Sequence, residues 1–334
     1  MELSSAREVK ATILSQVLGP LTAPGGLRPF GVAAQSMKAM DRMHRSIAIG
    51  IAAREGAGFR LAVRLQRAEL YKGQHVEAMR RAARGELDVV FVGPLQKRQG
   101  TATPWYQSRN RPLRIGSSIA HFHVTAGTLG CFVKDREGGA TRLILSNNHV
   151  LADENQAALG DPILQPGPYD HGSNPADAVG ALVRFVQLRT ATSNVVDCAI
   201  SSVNAGIEID AKTLTGIGAL NGLGALPTGG VPVAKVGRTS GVTRGLVTAF
   251  ELDNVVVEYD IGDLRFDNQI EIEGQGNDPF SAGGDSGSLI VNEQNQAIAL
   301  LFAGGDLGGS NGRGLTYANP LLPVLDSLKV DLIS

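Results

Sequence analysis

The pentapeptide Gly284-Asp285-Ser286-Gly287-Ser288 places one serine between two glycines. Backbone N–H groups crowd around a hydroxyl in such a loop, which suits a nucleophile whose transition state carries new negative charge on an oxygen. Glycine, serine and aspartate are also common in ordinary turns. The run therefore becomes informative only when the chain also supplies a base and a carboxylate in suitable settings.

A serine hydroxyl is a poor nucleophile at neutral pH and needs an adjacent base. Of the six histidines in the chain, His149 stands out. It follows the apolar stretch Leu143–Leu145 at the point where a predicted strand runs into a turn, which would place the imidazole at the lip of a barrel. An ordinary strand-end histidine would show the same pattern.

Asp197 is the acid with the most unusual setting, since apolar residues flank it on both sides within Asn194–Ile200. A carboxylate in an apolar strand must be paired or hydrogen-bonded, because burying it bare is costly. A structural aspartate that accepts backbone N–H bonds is the alternative to a partner for His149.

The order of the three residues narrows the choice of catalytic template. Asp197 follows His149 by 48 positions, and Ser286 follows Asp197 by 89. The His, Asp, Ser template has separations of roughly 45 and roughly 93, whereas the other two common templates run Ser, Asp, His and Asp, His, Ser. Order, spacing and local context together predict a catalytic triad.

On these residues the chain resembles the chymotrypsin/trypsin-like serine peptidases over about 118–334. Ser146–Val150, Asp197–Ile200 and Gly284–Ser288 stand where that family has its histidine, aspartate and nucleophile segments. Val236–Gly245 resembles a glycine-rich hairpin in the second barrel of bacterial members. In finer detail the chain is similar to cytosolic bacterial relatives of the plant narrow-leaf type, which also carry an N-terminal extension.

The resemblance implies a role for each residue. Ser286 would attack the scissile carbonyl, and His149 would take its proton and later give it to the leaving amine. Asp197 would orient His149. The N–H groups of Gly284 and Ser286 would form the oxyanion hole, where losing one donor in a related enzyme costs about 10²–10³ in rate.

The resemblance also implies substrate-binding residues. Ala303, Gly304 and Gly305 correspond to the segment that pairs with the substrate backbone as an added strand, although these glycines would equally suit a simple turn. Phe280, six positions before the serine, would lie at the base of the specificity pocket. Cleavage after Lys or Arg is therefore not implied, although Asp278 lies close by, and a small or apolar residue before the cut is weakly favoured.

Secreted relatives pair the Asp of this loop with a new N-terminus that activation cleavage creates. No clear activation site precedes the barrels in this chain, so the sequence does not identify the partner of Asp285. The usual cysteine after the catalytic histidine is replaced by Val150.

Charge is divided unevenly along the 334 residues, although the net charge is only −1. Residues 1–117 contain 19 Lys and Arg against 8 Asp and Glu, a net +11, whereas residues 118–334 contain 12 against 24, a net −12. Two differently built regions that dock on each other would explain this split. A nucleic-acid partner is disfavoured, and a basic surface without a partner is the remaining alternative.

The composition of the chain indicates its general class and its cellular location. Hydrophobic residues make up 43% of the chain, which allows a sizeable core. Cys131 and Cys198 both lie in apolar runs and are expected to be buried free thiols. No stretch is long and apolar enough to span a bilayer, and the N-terminus lacks the layout of a signal peptide. We therefore expect no membrane association and a cytoplasmic location.

Residues 1–112 predict a basic α+β domain, with a linker, that serves regulation or oligomerisation, here as a homo-oligomer. Gly19-Pro20 ends the first helix, and Gly85 ends the second. The predicted elements are a helix over 4–18, an irregular segment over 19–31, strands Ser46–Ala53 and Phe59–Gln66, a helix over Ala68–Arg84, a strand Leu87–Val92 and a linker over 96–117.

Residues 113–334 predict the peptidase domain, because short apolar runs alternate with turns there. The fold class is mainly β, a chymotrypsin-like double β-barrel preceded by the small ββαβ domain. Barrel one is expected over about 118–205, barrel two over about 213–318 and a C-terminal helix over about 319–329. The predicted strands are Leu129–Val133, Leu143–Leu145, Val179–Val186, Val195–Ser201, Val231–Val236, Gly245–Glu251, Leu264–Glu273, Leu289–Val291 and Ala297–Phe302.

Two functions remain open. The first is a serine endopeptidase acting on a protein or peptide substrate, with an esterase as a lesser variant. The second is a binding or scaffold protein on a protease fold with a silent triad, since fold does not determine function.

No cofactor or metal is expected: His121 and His123 have a spacing compatible with zinc, but no further ligand is evident. Gly304–Gly309 is more typical of a cleft loop than of a nucleotide loop.

Overall fold

The computed structural model describes residues 1–15, 46–54, 58–95, 104–138, 142–226 and 228–334. Strands predominate in these residues, and most of them are short. The elements in chain order are α1 (Leu3–Ile13), β1 (Ile47–Ala53), β2 (Phe59–Leu65), α2 (Gln74–Ala82), β3 (Leu87–Phe91), β4 (Leu113–Arg114), β5 (Ser118–His121), β6 (Gly127–Thr128), β7 (Cys131–Asp135), β8 (Leu143–Ser146), α3 (Asn148–Leu151), β9 (Pro162–Leu164), β10 (Ala178–Phe185), β11 (Ala199–Ser202), β12 (Ile209–Asp210), β13 (Thr213–Leu214), β14 (Gly218–Ala219), β15 (Pro232–Gly237), β16 (Gly241–Asp253), β17 (Val255–Tyr259), β18 (Gly262–Phe266), β19 (Gln269–Gly274), β20 (Leu289–Asn292), β21 (Ala297–Gly305), β22 (Leu315–Pro320), α4 (Leu321–Leu328) and β23 (Val330–Leu332).

The second half of the chain closes a barrel. Its strands run in the order β15-β20-β21-β22-β19-β16, and β16 pairs back with β15 to complete a ring of six. Closure removes the free strand edges on which other chains could pair. Val247, Ile270, Ile272 and Leu301 point into the barrel and are fully or almost fully buried.

The first half forms a half-barrel from one sheet in the order β23-β7-β8-β11-β10-β9-β5-β6. Phe132, Leu145, Ile163 and Ile200 lie in its core. The last strand, β23, follows α4 directly and pairs antiparallel with β7. Together the two barrels confirm the predicted mainly β, chymotrypsin-like double-barrel fold class.

The N-terminal region shares a sheet with the second barrel. β1 pairs antiparallel with β16, β2 pairs with β1, and β3 lies parallel to β2, which extends the sheet to nine strands. The ββαβ order predicted for this region is present, with α2 as its helix. The sequence pattern did not indicate that the outer edge of β1 is occupied by a barrel strand.

Opposite charges join the two regions, which is one of the explanations left open for the charge split. Arg64 of β2 forms a two-pronged ion pair with Glu271 of β19 at 2.6 and 2.7 Å, and both side chains are buried. Lys10 lies 2.9 Å from Asp253. A buried charge of this kind must keep its partner, because removing one member typically costs about 3–5 kcal/mol.

Several predicted elements were wrong in part. The helix over Ala68–Arg84 is broken at Gly73, whose extended backbone separates a 3₁₀ turn from α2. The strand Leu264–Glu273 is two strands, because Asn268 adopts a positive φ of 64° between β18 and β19. The described part of the predicted linker, 104–117, is packed rather than free: Leu113 is fully buried and β4 pairs with β12.

Other expectations concern cysteines, membranes and the chain's first helix. Cys131 and Cys198 are free and buried, as predicted. Burial raises the pKa of both thiols, and the charge of Asp197 also acts to raise that of Cys198. Among the described residues, no helix has both the length and the apolar character needed to cross a membrane. The predicted end of the first helix and the irregular segment over 19–31 lie outside the described residues.

Candidate active site

Strand pairing brings His149 and Asp197 together. β8 and β11 run antiparallel, with Ser146 opposite Ala199. The residues that follow β8 therefore lie beside the residues that precede β11. His149 sits in α3, immediately after β8, and Asp197 lies two residues before β11. Asp197 is thus presented from a loop rather than from within the predicted strand.

A hydrogen bond of 2.5 Å joins His149 Nδ1 to Asp197 Oδ2. The other carboxylate oxygen, Oδ1, accepts the N–H groups of Asn148 at 2.6 Å and His149 at 3.3 Å. His149 is nearly buried and Asp197 completely so. These bonds fix the position of the carboxylate, so Asp197 can hold the imidazole in one orientation.

Tyr259 is a further partner of the same carboxylate. Its hydroxyl donates to Asp197 Oδ2 at 2.6 Å, and its ring meets the His149 ring edge-on with centroids 5.7 Å apart. Burial, followed by the charge of Asp197, raises the pKa of Tyr259 well above its ordinary value. The phenol therefore keeps its proton and remains a donor.

Two asparagines hold the backbone of Asp197. Asn319, on β22 of the second barrel, accepts the Asp197 N–H through Oδ1 at 2.9 Å. Asn147 donates its side-chain amide to the Asp197 carbonyl at 2.7 Å. Elements of both barrels therefore position this carboxylate. Sequence reasoning missed Tyr259, Asn147 and Asn319, whose only signal was a polar side chain beside or within an apolar run.

The loop that carries Ser286 is bonded to the short strand β6. Thr128 donates its N–H to the Ser286 carbonyl at 2.8 Å and its hydroxyl to the Gly284 carbonyl at 3.0 Å. A Cβ placed on Gly127 would lie 2.4 Å from the Val150 side chain and 3.1 Å from the Ser286 carbonyl. The segment bearing His149 and the loop bearing Ser286 therefore meet at β6.

The serine hydroxyl contacts a carbonyl in this state. Within the described residues, Ser286 Oγ hydrogen-bonds to the Phe302 carbonyl at 3.5 Å and not to His149. Nucleophile and base are commonly farther apart without substrate and approach each other in the complex. The structure thus places all three predicted triad residues at one junction, with the His149–Asp197 bond already formed.

The backbone N–H groups of the Ser286 loop alternate between bonded and unbonded within the described residues. The N–H groups of Asp285 and Gly287 bond to carbonyls at 3.0 and 2.8 Å. Those of Gly284 and Ser286 have no acceptor within the described part of the chain. Gly284 has a φ of 90°, which glycine adopts without strain. The alternating pattern leaves two donors available for an anionic oxygen, at the positions predicted for the oxyanion hole.

Asp285 has a partner within the barrel. Lys235 Nζ lies 3.1 Å from its Oδ2, and both side chains are fully buried. The carboxylate also accepts bonds from Thr239 N–H at 2.8 Å, Ser240 Oγ at 2.5 Å and Ala282 N–H at 2.9 Å. Burial acts to raise the pKa of Asp285, but the Lys235 charge and these bonds outweigh it and lower the pKa.

The strand predicted to bind substrate backbone has one edge occupied. Ala303, Gly304 and Gly305 pair with β22 on one side of β21. On the other side, β20 pairs with β21 only as far as Leu300. The end of β21 therefore extends beyond β20, next to the Ser286 loop. The substrate-binding role of these three residues stays a prediction.

Phe280 lies inside the second barrel. Its side chain is 1% exposed and packs in the barrel core, with the ring centroid 5.8 Å from Lys235 Nζ. Thr243 Oγ1 donates to its carbonyl at 2.6 Å. The ring thus supports the hairpin that holds Asp285, and its predicted place at the base of a specificity pocket stays a prediction.

The segment after β3 reaches the end of β21. Leu95 is 2% exposed, and a Cβ on Gly305 would lie 2.9 Å from its Cδ2 and 3.3 Å from the Val92 carbonyl. Leu95 shares a core cluster with Phe302 and Ala303. The N-terminal region therefore touches the strand beside the candidate active site, which no feature of the sequence indicated.

The fold is that of the chymotrypsin-like serine proteases. Solved structures with similar chains include Cellulomonas bogoriensis chymotrypsin, at 20% identity, covering 66% of this chain and 98% of that chain, with a TM-score of 0.45. A glutamic-acid-specific serine protease is 21% identical. The match covers 66% of this chain and 100% of that chain, with a TM-score of 0.47. Thermobifida fusca Protease A is 16% identical. The match covers 66% of this chain and 98% of that chain, with a TM-score of 0.46.

Sequence similarity points to one plant protein. The profile described as the Nal1 C-terminal domain matches residues 177–319. Protein NARROW LEAF 1 of Oryza sativa subsp. japonica is 30% identical over 264 residues, which are 65% of this chain and 42% of that protein. The chain thus spans about two fifths of that relative's length. The predicted similarity to the narrow-leaf type is supported, and kinship with cytosolic bacterial relatives stays a prediction.

Proposed function

We propose that this protein is a serine endopeptidase acting on protein or peptide substrates. One observation carries the proposal: a buried aspartate already holds His149 by its Nδ1 atom at the junction where a Ser286 loop offers two unused N–H donors. This arrangement suits acyl transfer, which needs a base, a nucleophile and stabilisation of an anionic oxygen.

The groups act in a fixed order in this proposal. His149 Nε2 takes the Ser286 hydroxyl proton as Oγ bonds to the scissile carbonyl carbon. The carbonyl oxygen becomes anionic and accepts bonds from the N–H groups of Gly284 and Ser286. The C–N bond then breaks as His149 returns the proton to the leaving amine. A water molecule, deprotonated by His149, hydrolyses the acyl-enzyme and frees Ser286.

Covalent labelling tests the proposal. A fluorophosphonate probe should label the wild-type chain at one serine, because only an activated hydroxyl displaces its leaving group. Ser286→Ala should abolish labelling, whereas Ser310→Ala, at an exposed serine, should leave it unchanged. A wild-type chain that is folded but never labelled would instead support the silent scaffold. Labelling without cleavage of any peptide in a library would support the esterase.

The N-terminal region is proposed to regulate the same site. Its support is the contact of Leu95 with Gly305, at the end of the strand on which substrate would lie. A segment packed there limits access until it moves. Assembly into a homo-oligomer through this region and a cytoplasmic location also stay proposals.

Shortening Leu95 tests this regulation. Leu95→Ala should raise kcat/KM for a fluorogenic peptide at least about tenfold, because truncating a buried leucine removes about 2–5 kcal/mol of packing and about 1.4 kcal/mol already gives a factor of ten. Leu182→Ala, with the same 2% exposure but in the first barrel, is the matched control and should not raise it. An equal or lower kcat/KM for Leu95→Ala would remove the segment from any inhibitory role.

A further inference from the structure

A pair of histidines lies beside the segment that follows His149. His121 ends β5 and His123 comes two residues later, while Asp153 follows α3, which packs against β5. One ligand atom from each of His121, His123 and Asp153 lies within 4.8 Å of the other two. The geometry points to a binding site here for a divalent transition-metal ion, with Zn²⁺ as the best match.

His121 is prepared as a ligand by a carboxylate behind it. Its side chain is 1% exposed, and its Nε2 lies 3.1 Å from Asp161 Oδ2. Asp161 is itself held by the Ala158 N–H at 2.7 Å. The His123 N–H donates to Nδ1 of His121 at 3.3 Å, so Nδ1 is the acceptor nitrogen, and an ion would take its lone pair in place of this long bond. A carboxylate on the far nitrogen of a metal-binding histidine is the usual way to orient it.

Asp153 owes its position to an unusual backbone. Asp153, Glu154 and Asn155 have positive φ angles of 48°, 53° and 75°. Such angles are uncommon for residues other than glycine, and asparagine and aspartate tolerate them best. Asn155 donates to the Leu188 carbonyl at 2.9 Å, and Glu154 accepts the Ile261 N–H at 3.1 Å. Their neighbours therefore fix the turn that brings the Asp153 carboxylate to the histidines.

The ligand set selects the kind of metal. Two imidazole nitrogens and one carboxylate oxygen suit Zn²⁺ and similar ions, whereas Mg²⁺ and Ca²⁺ prefer oxygen ligands alone. Bond lengths near 2.0–2.2 Å put tetrahedral ligand atoms about 3.3 Å apart, so a small closure of the three side chains forms the site. His123 is exposed and gives an entry path. Water would complete the coordination.

The ion would join the turn after β5 to the segment that follows His149. It would thus stabilise one wall of the candidate active site without touching the reacting atoms. The inference does not depend on the proposed peptidase activity, since binding is measurable on a silent protein. Sequence spacing indicated only His121 and His123, and only the folded structure shows Asp153 beside them.

Cobalt substitution tests the site on the tag-free 334-residue chain after treatment with a chelator. Co²⁺ should give the intense visible bands of a tetrahedral complex at one equivalent, and Zn²⁺ should displace it. Zn²⁺ at about 100 times its Kd should raise Tm by about 5 °C. His123→Ala and Asp153→Asn should each weaken binding at least about tenfold. Asparagine at 153 keeps the positive φ, so this variant is expected to fold.

The controls separate this site from other histidines. His171→Asn alters an exposed histidine of the same barrel, and His149→Ala alters the candidate base; both should keep the cobalt spectrum. Absence of the bands in the wild-type protein would overturn the inference. Unchanged binding in both His123→Ala and Asp153→Asn, or loss of binding in His149→Ala alone, would also overturn it.

Discussion

Asp197→Asn is expected to lower kcat for peptide hydrolysis about 10⁴-fold, the loss known for the same change in a related triad. Asp197 Oδ2 accepts the bond from His149 Nδ1. An amide nitrogen there donates instead, so the imidazole must carry its proton on Nε2. A protonated Nε2 cannot take the proton of Ser286. The measurement is kcat under saturating peptide, with urea unfolding to show that the variant is folded.

Tyr259→Phe is the matched comparison, because it removes a donor to the same oxygen and leaves the carboxylate in place. We expect a kcat loss of about tenfold or less and a stability loss of about 1 kcal/mol. Asp197→Asn also leaves the Tyr259 hydroxyl without its acceptor, at about 1–3 kcal/mol. Equal kcat values for the two variants would mean that Asp197 acts by packing rather than by fixing the proton on His149.

The local setting of each candidate triad residue could be predicted, because each follows from a local pattern. His149 comes directly after an apolar run that becomes β8, and Ser286 lies in a glycine loop just before β20. Antiparallel pairing of neighbouring apolar strands then brings such strand ends together. The fold class could be predicted for the same reason, since short apolar runs between turns leave few architectures besides two barrels.

The groups that hold Asp197 could not be predicted, because they come from distant parts of the chain. Tyr259 lies 62 positions from Asp197, and Asn319 lies 122 away. Strand periodicity shows which face a residue occupies but not which residue it meets. The Arg64–Glu271 pair spans 207 positions. For the same reason the ββαβ pattern did not indicate that β1 completes its hydrogen bonds on β16.

Lys235→Met is expected to destabilise the protein by about 3–5 kcal/mol at pH 7, because it leaves the Asp285 carboxylate buried without its counter-charge. Lys235 lies 3.1 Å from that carboxylate and is completely buried. The Asp285 loop also carries Gly284 and Ser286, so kcat should fall with stability. Urea midpoints measure the first effect. Lys212→Met, at an exposed lysine, should stay within about 0.5 kcal/mol of wild type.

The pH dependence identifies the cause of that loss. The folded-state pKa of Asp285 lies below its unfolded value, so the pair contributes stability above about pH 4, which is lost as pH falls through the lowered pKa. Without Lys235, burial acts unopposed by that charge and the carboxylate takes up a proton at a higher pH. The deficit of Lys235→Met should therefore be largest near neutral pH and narrow toward pH 4.

A second substitution completes the argument. If the stranded charge causes the loss, Asp285→Asn added to Lys235→Met should recover part of the stability, since replacing both members of a buried pair costs less than removing one. The amide oxygen can still accept the N–H groups of Thr239 and Ser240. Additive losses in the double variant, or a deficit that does not change between pH 7 and pH 4, would show that Lys235 acts through packing on Phe280 rather than through its charge.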